Sequence, residues 1–243
     1  METTQIKNQG FISRLPQSLL SYVSELIYPQ ICYACELRNR IQDHILCVNC
    51  NYEIACTDHW SKRENEFTDK FTGRVKIQQG AALYKFIPGG RFQKMVHKLK
   101  YENKPEIGEY LGKIAGKKII ESWNVPDIIV PVPMHEKKKW LRGYNQAEMV
   151  GNGLEQTLQI PQYQLLKKIN YTKSQTKFHR NERLKNMESA FCLNQKKDLT
   201  GRHILLVDDV LTTGATLEAC ANVLNQIPDI KISMFTLGIG LSF

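Results

Sequence analysis

No run of about eighteen apolar residues occurs in the 243-residue chain, which argues against a membrane-spanning helix. A secretory pattern is missing as well. Residues 1–10 are polar, and the apolar residues of 11–27 are interrupted by Arg14, Pro16 and Glu25 instead of forming a continuous core with a cleavage site. A cytoplasmic protein without stable membrane insertion is the resulting expectation. Acidic side chains are the minority charge, 24 against 33 Lys and Arg, leaving a formal net charge of +9. That surplus suits an anionic ligand, polyphosphate or nucleic acid, and equally a lysine-rich solvated surface, so charge does not choose between them. Internal repeats and low-complexity segments are absent. Cysteine is nearly confined to one window: five of the seven lie between Cys32 and Cys56, with only Cys192 and Cys220 beyond it.

In a chain with no export signal, so dense a cluster reads as metal ligands before disulfides. Cys32-x2-Cys35 and Cys47-x2-Cys50 are separated by eleven residues. Each C-x-x-C turn presents two thiolates to one ion, and two turns complete a tetrahedral site for which Zn²⁺ is the expected metal. Four protein ligands leave no open position, so the ion is expected to be structural. A redox dithiol and free core cysteines are the competing readings.

Along the chain, residues 11–27 have the apolar spacing of an amphipathic helix, so 1–27 is read as an N-terminal helical segment. The cysteine module follows at 28–57. Residues 58–78 are read as a linker, because 58–76 are charged and lack a sustained apolar period. Residues 79–243 read as a larger α/β domain. Strands are expected at 81–87, 127–133, 164–169, 203–209 and 231–239, and helices at 91–100, 106–123, 145–158 and 216–226. Strands alternating with helices imply a mostly parallel twisted sheet with flanking helices.

The segment Leu205 to Thr216 carries the most specific chemistry. An apolar strand ends in Asp208 and Asp209, and a loop of Thr212, Thr213 and Gly214 then leads through Ala215 and Thr216 into a helix. In a parallel sheet the carboxyl ends of strands face the ligand crevice. The helix start offers free amides and positive dipole character to a phosphate. Gly214 lets the main chain approach closely. Carboxylates do not bind phosphate, but they accept hydrogen bonds from sugar hydroxyls. The string therefore reads as a site for ribose plus 5-phosphate, against the plainer reading of an acid-ended strand followed by a capped helix. It resembles the 5-phosphoribosyl 1-pyrophosphate (PRPP) signature of the type I phosphoribosyltransferases.

Three further segments extend the likeness: His97-Lys98-Leu99-Lys100-Tyr101; Val130-Pro131-Val132-Pro133-Met134-His135 with Arg142-Gly143-Tyr144-Asn145-Gln146-Ala147-Glu148; and Ser174-Gln175 with Glu182-Arg183-Leu184-Lys185-Asn186. With the cysteine module in front, the chain resembles the ComF family, the phosphoribosyltransferase-like proteins of bacterial natural competence. The resemblance implies a type I phosphoribosyltransferase fold binding PRPP with Mg²⁺, with Asp208 to Thr216 as the ligand loop. It implies a pyrophosphate loop at Pro133, Met134 and His135 with Arg142, and a flexible covering loop containing Ser174, Gln175 and Arg183. Lys137, Lys138 and Lys139 are read as a solvated loop. Lys168 and Asn170 stand where many relatives carry arginine. The implied reaction is displacement of pyrophosphate from PRPP by an unidentified acceptor. A non-catalytic factor binding single-stranded DNA or a competence helicase under PRPP control is the alternative. Nucleobase salvage is a weaker alternative, because a zinc module is not usual there.

Overall fold

The computed structural model describes residues 31–38, 45–169, 190–194 and 198–240. The amphipathic segment expected at 11–27, and Ser174, Gln175 and Arg183, lie outside the described residues. In chain order the elements are α1 (Val48–Glu53), a 3-10 turn (His59–Ser61), α2 (Glu66–Asp69), β1 (Gly80–Phe86), α3 (Arg91–Tyr101), α4 (Glu106–Ser122), β2 (Ile128–Pro131), α5 (Glu136–Arg142), α6 (Gln146–Leu158), β3 (Leu166–Lys168), β4 (Phe191–Leu193), β5 (His203–Leu211), α7 (Ala215–Leu224) and β6 (Lys231–Gly240).

Four strands form a parallel sheet in the order β1-β6-β5-β2. β5 and β6 are its interior strands. Their near-continuous apolar runs are what burial on both faces requires. On β5, Leu205 and Val207 enter one core with Phe235, Met95, Leu99, Leu111 and Leu154. Ile204 and Leu206 enter the other with Met234, Leu217, Val223 and Phe67. The first core lies under α3, α4 and α6. Helices α4 and α6 cross at very short range: a Cβ on Gly112 would sit 2.2 Å from the Val150 carbonyl oxygen, and one on Gly153 would sit 2.0 Å from that of Glu109. Both positions therefore require glycine.

Three expectations need correction. Residues 58–76 are not a bare linker. Asn65 caps α2 in a capping box with Thr68, and Phe67 and Phe71 are completely buried beside β1 and α7. One turn set by a cap and two aromatic anchors is too short to show a period, which is why the apolar pattern missed it. The strand expected at 164–169 shortens to β3 and leaves the main sheet to pair antiparallel with β4. The solvated loop expected at Lys137–Lys139 is the helix α5 instead, with His135 Nδ1 accepting the Lys137 amide at its start and Gly143 closing it at φ +80°.

The cysteine region packs directly on the helical layer. Cys32, Ala34, Leu46, Cys50 and Ile54 share the first core with α3 and α4 residues. Polar contacts reinforce the join: Lys98 Nζ reaches Glu36 at 2.6 Å, Arg91 reaches Glu53 at 2.5 Å, and the Tyr33 hydroxyl donates to Glu106 at 2.6 Å.

Candidate functional site at the carboxyl end of the sheet

β5 runs two residues past its acid pair before the chain turns. Asp208 lies beside Thr236 of β6, and Pro131 of β2 lies beside Val207. The loop after β2 therefore emerges next to the acids, tied by the Val132 amide to the Val207 carbonyl at 2.8 Å. Both acids are partly buried. Asp208 Oδ1 accepts the Asp209 amide at 2.8 Å. Burial, and then the charge of Asp209, raise the Asp208 carboxyl to about 7, with Lys100 and Lys168 opposing the shift. Asp209 Oδ2 meets Lys100 Nζ at 2.7 Å. Behind them the Cys220 thiol of α7 is buried, and burial together with Asp208 holds it far up and neutral.

Thr212 and Thr213 are exposed, Gly214 is buried, Ala215 is half-buried and Thr216 is exposed. Gly214 takes φ +80° as the residue before α7, a left-handed backbone that favours glycine. A Cβ there would come within 3.0 Å of the Phe71 ring. No side chain caps α7 through Gly214, and among the described residues the Ala215 amide meets the Thr213 hydroxyl at 3.4 Å. The first turn of α7 thus presents weakly occupied amides to an anion. Arg74 approaches from the former linker, donating to the Thr213 carbonyl at 3.3 Å and pairing with Glu218.

Beyond β2, Pro133 and Met134 line a cleft of about 250 Å³ with Lys139, Glu148, Gln164 and Lys168. Lys139 is held by Glu148 at 3.0 Å. His135 is committed to starting α5. Arg142 stands at the opposite end of that helix, bonded to Gln146 at 3.0 Å and 5.1 Å over the Tyr101 ring. The loop residues and Arg142 are therefore brought to the two ends of one short helix and not to a single point.

The motif residues around Arg142 do structural work. Asn145 donates to the Val132 carbonyl at 2.9 Å and caps α6. The Tyr144 hydroxyl and Gln146 Nε2 both donate to the Leu99 carbonyl, at 2.6 and 3.4 Å. Two of the segments singled out in the sequence are thus knitted together at the end of α3, immediately before Lys100. Lys100 and Arg74 are site residues that sequence reasoning did not assign. Lys100 had a signal, since it lies in a matched segment. Arg74 had none, because what places it is the burial of Phe71.

The four sulfurs of Cys32, Cys35, Cys47 and Cys50 all lie within 4.8 Å of one another, and none is in a disulfide. Burial raises the Cys32 thiol, but hydrogen bonds, first from the Cys47 amide at 3.4 Å, bring it down to about 7. Burial and the three neighbouring thiols push Cys50 up, while Arg91 donates to its sulfur at 2.8 Å. Donors aimed at sulfur, and thiols that oppose one another's ionisation, are what a cation at their centre would satisfy, so the set fits a tetrahedral metal. His59 is not part of it: its Nδ1 accepts the Ala82 amide at 3.2 Å.

Residues 98–228, more than half of the chain, match the model of the family described as "Phosphoribosyl transferase domain". The chain belongs to this family. Its relatives include Competence protein F of Haemophilus influenzae, 29% identical over 59% of this chain and 66% of that protein. DNA utilization protein YhgH of Escherichia coli K12 is 29% identical over 54% of this chain and 59% of that one. Competence protein ComFC of Bacillus subtilis is 32% identical over 45% and 43%. The chain thus matches less than two thirds of the length of these relatives. Among its described residues no helix is long and apolar enough to cross a membrane.

Proposed function

We propose that this chain binds PRPP with Mg²⁺ at the carboxyl end of β5, and that it transfers the phosphoribosyl group to an acceptor during the handling of DNA in natural competence. One observation carries the reading. An acid pair stands near the end of an interior parallel strand, and a glycine-started helix with weakly occupied amides follows it. The acids suit the ribose hydroxyls, and the Thr212–Thr216 turn suits the 5-phosphate. Neither half alone would specify a sugar phosphate. The names of the relatives, two for competence and one for DNA utilization, support the biological setting.

In the reaction, the bond from C1 to the pyrophosphate oxygen breaks, its electron pair leaving with pyrophosphate, as the acceptor, a nitrogen nucleophile, bonds to C1 and gives its proton up to water. The residues on this chain position the ribose and hold its hydroxyls while positive charge develops on the ring. Mg²⁺, when bound, supplies charge neutralisation on the departing pyrophosphate. Cys32, Cys35, Cys47 and Cys50 would hold a structural Zn²⁺ that stabilises the region packed on α3 and α4.

A second reading, a DNA-binding factor controlled by PRPP, is favoured by α5. No residue of that helix is buried: Trp140 and Leu141 are 84% and 75% exposed beside Lys137 and Lys138. Exposed aromatic and basic groups suit a single strand. The two readings separate on turnover. PRPP is incubated with a pool of bases, nucleotides and single-stranded DNA, and pyrophosphate is measured. Release that depends on an acceptor is expected. Saturable PRPP binding without release, together with DNA binding that weakens steeply with salt, would favour the second reading.

A further inference from the structure

Lys100 is not an incidental surface cation. It is the last lysine of α3, and the helix that delivers it is fixed on several sides. Phe92, Met95 and Leu99 are in the core, and Lys98, nearly buried, is paired to Glu36 and Glu102. The Leu99 carbonyl is gripped by Tyr144 and Gln146. What this scaffold presents is an ammonium 2.7 Å from Asp209, both side chains about four-fifths covered (22% and 18% exposed).

That contact has a consequence for any ligand. A ribose hydroxyl that donates to Asp209 must compete with a charged amine for the same carboxylate. An amine displaced from its acid in a largely covered place is poorly hydrated and needs another anion. PRPP brings one: its pyrophosphate leaves from C1, next to the hydroxyls at C2 and C3. Ribose 5-phosphate has no anionic group on that side, and its phosphate is at the far end of the sugar. Lys168, whose charge also bears on Asp208, lines the neighbouring cleft after β2 and adds to the same field.

We propose that Lys100 is a specificity residue that exchanges its partner, from Asp209 in the free protein to the pyrophosphate of bound PRPP, and so opens the acid pair chiefly to sugar phosphates carrying an anionic group at C1. The proposal rests on the PRPP reading above and goes beyond it, since it assigns discrimination between PRPP and ribose 5-phosphate to one amine outside the signature loop.

The test uses the full chain in Mg²⁺ buffer, with PRPP and ribose 5-phosphate titrated separately by calorimetry into the wild type, Lys100→Met, Lys100→Gln and Lys100→Arg. The wild type is expected to prefer PRPP by about tenfold or more, the worth of one charge-assisted contact. In Lys100→Met the preference should shrink to within about threefold, through weaker PRPP binding and unchanged or tighter ribose 5-phosphate binding. Lys100→Gln, which keeps a polar stem without the charge, should behave the same way, and Lys100→Arg should retain most of the preference. A purely structural role makes another pattern: both ligands weaken in parallel. Parallel weakening, or a preference preserved in both neutral variants, overturns the proposal while leaving the PRPP reading standing. A wild type that binds neither ligand overturns both.

Discussion

Asp208 and Asp209 are neighbours in sequence with different surroundings at the carboxyl end of β5. Asp209 offers an oxygen already charge-paired to Lys100, whereas Asp208 is partly buried and accepts a backbone amide. Its carboxyl is lifted from an ordinary 3.8 to about 7. In the unfolded chain it titrates near the ordinary value, so between these limits the folded protein holds a proton that the unfolded chain has lost. Stability contributed by this group therefore falls as pH rises through the window from about 4 to about 7. Asp208→Asn removes the titration. Thermal melts of the ligand-free protein should show the variant gaining on the wild type as pH rises, and the gain levelling once pH passes about 7. A difference independent of pH would mean that Asp208 is not held protonated by its surroundings.

At the scale of elements, the turn from β5 into α7 works because one residue can take a left-handed backbone while pressed against Phe71. Gly214→Val violates both conditions. A β-branched side chain at φ +80° is strained by roughly 1–3 kcal/mol, and its Cβ would meet the Phe71 ring. The expected result is a lower melting temperature and loss of ribose 5-phosphate binding by more than about tenfold. Retained affinity in calorimetry would show that the phosphate does not use this turn. The position of this turn was legible because everything it needs is local: an apolar run, two acids, a glycine and a helix with no better cap. What escaped was non-local. Arg74 reaches Thr213 because Phe67 and Phe71 are buried and fix the segment that carries it, and Lys100 reaches Asp209 from α3, far earlier in the chain. The basic run Lys137–Lys139 looked like a solvated loop because no side chain of α5 is buried, so its apolar residues leave no inward stripe.

Across the whole molecule, the cysteine region and the sheet share one core. Spacing alone pointed to a metal site, and the convergence of four sulfurs agrees with it. The extent of the packing behind Cys32 and Cys50 was not readable, since its partners Met95, Leu99 and Leu111 lie far along the chain. A shared core makes metal loss a global event. About one equivalent of Zn²⁺ is expected per chain, and chelation or Cys47→Ser should lower the main melting transition itself. A separate early transition that leaves the main one unmoved would show the cysteine region to be an independent unit.

The same global view sets the strongest contrast for the ligand site. The acid pair faces Lys100 and Lys168, so removing it leaves a more positive pocket. Asp208→Ala with Asp209→Ala keeps the phosphate turn and takes away the hydroxyl acceptors. Calorimetric titration of PRPP into this double variant with Mg²⁺ present should show binding weakened by about tenfold or more, each charge-assisted hydrogen bond being worth roughly 1.5–3 kcal/mol. Unchanged or tighter binding would mean that the site is merely electropositive and that the acids do not hold the ribose.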